Sequence, residues 1–360
     1  MNSLSNIKFQ SFKEAEFYQP LDFDDSKSVK CFLCSHYCTI KNNNFGICKV
    51  RFNSEGKLYT ITWGQAEGLA IDPIEKKPLY HFKPSTRVLS FGTPGCNFFC
   101  LNCQNNTLSQ LIKKSDILSF KNKNIEPSEI LQLAVNYKAD GIAYTYSEPT
   151  IFFEYARDII LLSKSKEETK NLFHIFVSNG YFSKEILETI VGENLIDAIN
   201  IDLKFFDDKN YKKITGGTLK PVLDSIEFLY KHKIHLEITN LVIPDLNDND
   251  EDFQKLTNFV LNLSKDIPLH FSRFYPHYKM LTKHPTIIDR LLRAKEIAIN
   301  NGLNYIYIGN TDLPDVENTY CPKCHNLLIE RKRYRIFLNF ELKKNDNFCP
   351  VCGYKLNIIS

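Results

Sequence analysis

From Val88 to Ile308, short apolar runs alternate with helix-periodic segments, and this alternation limits the fold more than any other feature of the chain. Strands are expected at 88–91, 141–146, 173–178, 198–202, 236–242 and 269–274, with 305–308 as an extra one. Helices are expected at 127–138, opening on Pro127, and at 151–164, 184–191, 219–232, 250–264 and 286–300. Repeated βα units build a parallel sheet covered by helices on its faces. Six or seven of them predict an α/β chain with a partial, open (β/α)6 barrel of the TIM type. In such a barrel the chemistry gathers at the C-terminal ends of the strands, so the polar residues just after each strand are the functional candidates.

The first strand runs into Gly92-Thr93-Pro94-Gly95-Cys96-Asn97-Phe98-Phe99-Cys100-Leu101-Asn102-Cys103. Gly92, Pro94 and Gly95 fit a tight turn where backbone passes close to a bulky group. Thiolates are the usual ligands of iron-sulfur clusters, and a four-iron cluster held by protein alone takes four of them. Cys96, Cys100 and Cys103 supply three, which leaves one iron open for a small molecule, as a catalytic zinc keeps a position for water. S-adenosylmethionine (SAM) suits that position: its amino and carboxylate groups can chelate the iron while its sulfonium accepts an electron. The alternative for the triplet is a three-cysteine zinc site completed by a histidine.

The C-x3-C-x2-C triplet resembles that of radical SAM enzymes, and the sequence around it is similar to the branch that holds the glycyl-radical-enzyme activases. Asn102 departs from that pattern, which carries an aromatic residue before the third cysteine. The resemblance implies a radical SAM barrel with a [4Fe-4S] cluster on Cys96, Cys100 and Cys103. It further implies reductive SAM cleavage to a 5'-deoxyadenosyl radical and a reductant such as flavodoxin or ferredoxin. The radical would abstract hydrogen from an unidentified substrate. A glycyl-radical-enzyme activase and a zinc-stabilised nucleic-acid-binding protein are the alternative readings.

Further candidates follow the other strands. In Tyr144-Thr145-Tyr146-Ser147-Glu148-Pro149, Glu148 matches the acid of an activase motif that holds the SAM ammonium, with Tyr146 and Ser147 in place of glycines. A first-turn helix acid is the other reading of Glu148, and Glu154 is expected on a helix face. The resemblance implies SAM contacts at Ser178 and Asn179, where an ordinary turn would give the same letters. In Asn200-Ile201-Asp202-Leu203-Lys204, alternation puts Asp202 and Lys204 on one face. The pair resembles the Asp-Leu-Lys of the activases and is expected to be both catalytic and SAM-binding; an internal salt bridge is the simple alternative. His270, Arg273 and His277 are candidates for the substrate mouth.

Several stretches resemble the radical SAM member of the AmmeMemoRadiSam system: Asp72 to Phe82, Thr239 to Asp248, His270 to Met280, Tyr307 to Asn310 and Glu317 to Tyr320. That resemblance runs in order from about Cys31 to Gly353 and implies AMMECR-like and Memo-like proteins as partners. By pattern alone, Glu75, Lys76 and Lys77 read as a solvated loop.

The other eight of the 11 cysteines form two sets. Cys31, Cys34, Cys38 and Cys48 lie within eighteen residues and suit zinc, with a second iron-sulfur cluster as the alternative. His36 sits among them and is expected beside the site, not as a ligand. Cys321, Cys324, Cys349 and Cys352 form two C-x2-C knuckles, the pattern of a zinc ribbon, with His325 where glycine is usual in the first. Between them, Glu330-Arg331-Lys332-Arg333-Tyr334-Arg335 reads as a solvated strand. The expected organisation is a lead-in at 1–30, a four-cysteine segment and connector at 31–86, the barrel at 87–315 and a zinc-ribbon-like tail at 316–360.

A formal net charge of +3 in 360 residues argues against a dedicated nucleic-acid or membrane-surface protein. No stretch reaches about 18 uninterrupted apolar residues, and the N-terminus lacks the basic and apolar regions of a signal peptide. A cytoplasmic protein is expected, in which such cysteines serve metals and not disulfides.

Overall fold

The computed structural model describes residues 12–21, 27–110, 124–341 and 347–360. At its centre is an eight-stranded sheet: β1 (Glu67–Pro73), β2 (Arg87–Gly92), β3 (Gly141–Tyr144), β4 (Phe173–Ser178), β5 (Ala198–Asp202), β6 (His235–Val242), β7 (Leu269–Arg273) and β8 (Ile306–Gly309). The strands lie in sequence order, β2 to β8 all parallel, and β1 pairs antiparallel with β2 at one edge. All six expected strands form, and the seventh extends to Gly309. The outermost ladders are β1 with β2 and β7 with β8.

The strands read as apolar because both faces are covered. In β2, Val88 to Gly92 are all buried, and every residue of β3 is buried. Gly141 is required where β3 meets β4, since a Cβ there would lie 2.3 Å from the Phe173 ring. Six helices cross between the parallel strands: α1 (Pro127–Asn136), α2 (Phe153–Ser165), α3 (Lys184–Gly192), α4 (Leu219–Lys231), α5 (Asp250–Leu263) and α6 (Ile288–Asn300). Their starts follow from caps in the sequence. Glu126 and Glu129 form a capping box on α1, Ser183 accepts from Ile186 N on α3, and Asn249 accepts from Asp252 N on α5.

Two outcomes correct the sequence reading. β1 lies in the segment expected as a connector, yet it belongs to the central sheet. Part of the lead-in is also structured, because Lys13–Glu14 pairs with Lys57–Thr60 and Tyr18–Pro20 pairs with Val29–Cys31. Glu154 lies on α2 as expected, on its inner side, where it is 1% exposed and pairs with the equally buried Arg51. That pair, with the Glu16 N bond to Glu154, clamps the N-terminal segment onto α2.

The C-terminal tail is stitched to the residues that follow β1. Ile359 N donates to His81 O and Lys83 N to Ile359 O, both at 2.7 Å. Among the described residues, no helix is long and apolar enough to cross a membrane.

Candidate active site

A cavity of about 780 Å³ opens at the C-terminal ends of the parallel strands, lined by Cys96, Cys100 and Cys103 together with Glu148, Ser178, Asn179, Asp202 and Lys204. The fold thus brings all eight expected residues to one place, although they come from four different strand exits. The loop carrying the triplet is pinned by backbone bonds: Phe99 N to Thr215 O at 2.7 Å, Leu101 N to Ile214 O at 3.0 Å and Gly95 N to Leu108 O at 3.0 Å. Gly95 has φ 97 and its missing side chain leaves room for Val50, which a Cβ would meet at 2.6 Å. Gly217 lies against Phe98 in the same way, at 2.3 Å.

The three cysteines line the cavity beside Glu148, Asp202 and Lys204. Burial pushes the Cys96 thiol well up, and pushes Cys100 up to about 11 despite the Lys204 ammonium beside it. Left to protons these sulfurs would stay neutral; a cationic metal centre is the partner that makes thiolates favourable there. Soft donors, three in number, beside a large open cavity fit a cluster with one free iron.

Glu148 is 1% exposed and makes more bonds than expected of it. Oε1 accepts from Thr150 N at 3.1 Å, Thr150 Oγ1 at 2.6 Å and Ser178 Oγ at 2.8 Å, while Oε2 accepts from Asn179 N at 2.8 Å. Three of the four donors meet Oε1 and one meets Oε2, so Oε2 keeps an acceptor site. Glu148 therefore ties the exit of β3 to that of β4, and it also caps the turn beginning at Pro149. Burial raises its pKa although these donors oppose the shift. Asn179 in turn bonds Asn97 through Nδ2 at 2.8 Å, next to Cys96.

Asp202 and Lys204 form an ion pair at 2.9 Å on the cavity wall. Asp202 holds the Lys204 ammonium well above its usual range against the cost of burial. Both side chains keep part of their surface open, 39% and 22%, so the pair can still meet a charged ligand.

Of the mouth candidates, His270 lines the cavity. Arg273 instead donates to Thr286 O at 2.8 Å and Tyr275 OH at 2.9 Å, and His277 pairs with Asn106 at 3.0 Å. The stretch read as a solvated loop is a further correction. Glu75 and Lys77 are 5% and 2% exposed and line the cavity with Lys76. Lys77 bonds Asp72 at 2.7 Å, as does Lys76. Tyr146 OH reaches the same carboxylate at 2.6 Å, and the Tyr146 ring lies 4.6 Å from the Lys77 ammonium. Tyr146 has φ 64, left-handed backbone that glycine adopts freely and tyrosine does at a cost.

Sequence reasoning also missed Glu237, a fully buried acid of β6. It accepts from His81 N at 2.7 Å and Tyr80 N at 3.0 Å, and faces His270 at 2.7 Å and His235 at 3.1 Å. Those partners hold its carboxyl well below the usual range even though burial opposes this. An acid inside an apolar strand is the one cue the sequence offered.

The two outer cysteine sets differ. The sulfurs of Cys321, Cys324, Cys349 and Cys352 all lie within 4.8 Å of one another, with pairs at 3.6 and 3.5 Å. A Zn–S length of about 2.3 Å implies tetrahedral S···S edges of about 3.8 Å, so this donor set fits zinc. The two knuckles are built alike, His325 with φ 58 and Gly353 with φ 67 closing the turns. Cys31, Cys34, Cys38 and Cys48 line a smaller cleft with Leu33, Ile40, Ile151 and the buried Arg51. Here His36 bonds Asn97 O at 2.9 Å, which couples this set to the triplet loop. The hairpin read as a solvated strand is mostly that, except for Arg331. That side chain is 5% exposed, stacks on Tyr80 at 4.3 Å and donates to Tyr80 O at 2.8 Å.

Comparison with known proteins adds a family. Residues 91–260 match the model of the Radical SAM superfamily. The chain is 42% identical over 351 residues to "Uncharacterized protein MJ0808" of Methanocaldococcus jannaschii, covering 96% of this chain and 99% of that one. It is 31% identical over 211 residues to "Putative glycyl-radical enzyme activating enzyme MJ1632" of the same organism, covering 58% of this chain and 75% of that one. Among solved structures, a radical SAM methyltransferase from Sphaerobacter thermophilus aligns with TM-score 0.49 at 12% identity, over 71% of this chain and 72% of that chain.

Proposed function

The chain belongs to the radical SAM superfamily and is an enzyme; from that premise we propose that it cleaves SAM at a cluster held by Cys96, Cys100 and Cys103 and turns the resulting radical on a substrate bound in the same cavity. When bound, the cluster and SAM supply an electron and a 5'-deoxyadenosyl radical that removes hydrogen from an unreactive carbon. The observation that carries this reading is the convergence of three half-buried cysteines and the partly open Asp202–Lys204 pair on one cavity of about 780 Å³.

The roles of this chain's residues follow from their contacts. Asp202 and Lys204 present opposite charges to the cavity, suited to the ammonium and carboxylate of a zwitterion. Glu148 fixes Ser178 Oγ and Asn179 N where SAM would lie, and as the acid matching the activase motif it is proposed to meet the SAM ammonium as well. The N-terminal cysteine set and His36 brace the loop that holds Cys96. For that set we favour zinc, with a second iron-sulfur cluster as the alternative, since four soft ligands within eighteen residues can close a tetrahedral site. The C-terminal set is proposed to hold a structural zinc. A low-potential flavodoxin or ferredoxin is the proposed reductant, and AMMECR-like and Memo-like proteins remain proposed partners on family resemblance alone.

Activation of a glycyl-radical enzyme is the second reading, favoured by the relationship to the activating-enzyme branch. The test is anaerobic reconstitution with iron and sulfide, then dithionite and SAM. Formation of 5'-deoxyadenosine by wild type and none by Cys100→Ala is expected; a protein that binds iron but yields no 5'-deoxyadenosine would overturn the proposal.

A further inference from the structure

The cavity has a second pole that the SAM-binding residues do not use. β1 runs antiparallel to β2 with Asp72 opposite Val88 and Pro73 opposite Arg87, so the turn after β1 lies at the floor of the barrel. Gly92, where the cysteine loop begins, is four residues above Val88. At about 3.3 Å per residue the floor is on the order of 10 Å below the triplet. The same cavity nonetheless reaches both.

At that floor two lysines share one carboxylate. One carboxylate, Asp72, meets two ammonium groups, Lys76 and Lys77, each at 2.7 Å, and also the Tyr146 hydroxyl. An ammonium has three donors, and among the described residues each lysine spends one on Asp72. Lys77 is the buried one of the two, with 2% of its side chain exposed against 46% for Lys76, and the ring of Tyr146, whose backbone is left-handed, lies over its ammonium. An independent feature lies beside it. Glu75 Oε1 accepts from Ser85 N at 2.8 Å, but Oε2 is buried with no partner while the residue lines the cavity. A native protein seldom leaves such an oxygen unpaired unless a ligand completes it.

We infer that Lys76 and Lys77, held by Asp72 and Tyr146, anchor the anionic end of the substrate, a carboxylate or a phosphate, with a hydrogen-bonding group of the same molecule at Glu75. This deepens the proposed radical SAM reading: the substrate is a small anionic molecule, or an extended anionic arm, whose reacting carbon sits above the anchor and below the cluster. Burial supports the assignment by lowering the Lys77 pKa to about 8, which makes its amine a usable reporter.

The reconstituted holoenzyme is treated anaerobically with pyridoxal phosphate, an aldehyde carrying an anion, then borohydride, and the labelled lysines are mapped by mass spectrometry. Label at Lys77 should exceed that at exposed lysines by about tenfold or more, given the larger fraction of free amine near neutral pH. Protection by inorganic phosphate points to a phosphorylated substrate, and protection by malonate to a carboxylate. The shift of the thermal midpoint by the protecting anion should persist in Lys77→Arg and vanish in Lys77→Met. No preferential label at Lys77, protection by neither anion, or an unchanged midpoint shift in Lys77→Met overturns the assignment. None of these readouts needs SAM turnover, so failure of the enzyme assay and failure of the anchor are told apart.

Discussion

The C-terminal cysteines and the barrel triplet use the same atom to opposite ends. Four sulfurs within 4.8 Å of one another leave a metal no free position, and they sit in a small module with its own core of Leu328, Ile329, Leu356 and Ile358. Three sulfurs at the mouth of a large cavity leave a position open, and they depend on distant elements to hold their loop. Under the proposed function, ligand count and support separate a bracing site from a reacting one.

The sharpest break of that contrast is reciprocal. Cys100→Ala should reduce 5'-deoxyadenosine to the level of iron-free protein while zinc content stays unchanged. Cys324→Ser should remove the zinc, and with it much of the roughly 10 kcal/mol or more that such a metal gives its module, while the cluster absorbance survives. Loss of both metals in either variant would show the two sites to be one cooperative unit.

Support of the open site is tested next by Glu154→Gln, which leaves Arg51 buried without its counter-charge. A loss of about 3–5 kcal/mol in a denaturant titration is expected, with a weaker cluster because the N-terminal segment braces the triplet. A loss under 1 kcal/mol would show the pair to be unimportant.

A smaller effect is expected from Asp202→Asn. Removing one half of a partly open ion pair should raise the KM for SAM by about tenfold, near 1.4 kcal/mol, with less change in kcat. An unchanged KM would leave Asp202 as an internal salt-bridge partner only.

A separate effect, confined to acid pH, is a slope in stability that belongs to the central sheet. His174 is buried with Nε2 unpartnered, and burial lowers its pKa to about 3. Between the ordinary value of 6.5 and about 3 the unfolded chain binds a proton that the folded one does not. Stability is thus lost as pH falls through that window, by up to about 1.4 kcal/mol per pH unit. His174→Phe should show a shallower slope in denaturation midpoints over the same range; an equal slope would assign the acid sensitivity elsewhere.

Most of the sheet was legible because parallel strands buried on both faces leave continuous apolar runs, and cap residues mark where helices start. The triplet was legible because its ligands lie within eight residues, Cys96 to Cys103. Glu148 was found but its bonds were not, since Ser178 and Asn179 meet it from thirty residues on. Lys77 and Glu75 looked like solvent-facing charges, and nothing local says that a strand edge turns them inward. Arg331, in a run of basic residues, is distinguished only by Tyr80, 251 positions away.

By itself, then, the sequence determined the order of βα units, the three sets of cysteines and the acid and base on β5, because periodicity, spacing and strand alternation are local properties of the chain. The tertiary structure alone decided which charges face the cavity and which brace it. Burial depends on residues brought together from distant segments, as do pairs such as Arg51 with Glu154, and no single stretch of sequence contains them all.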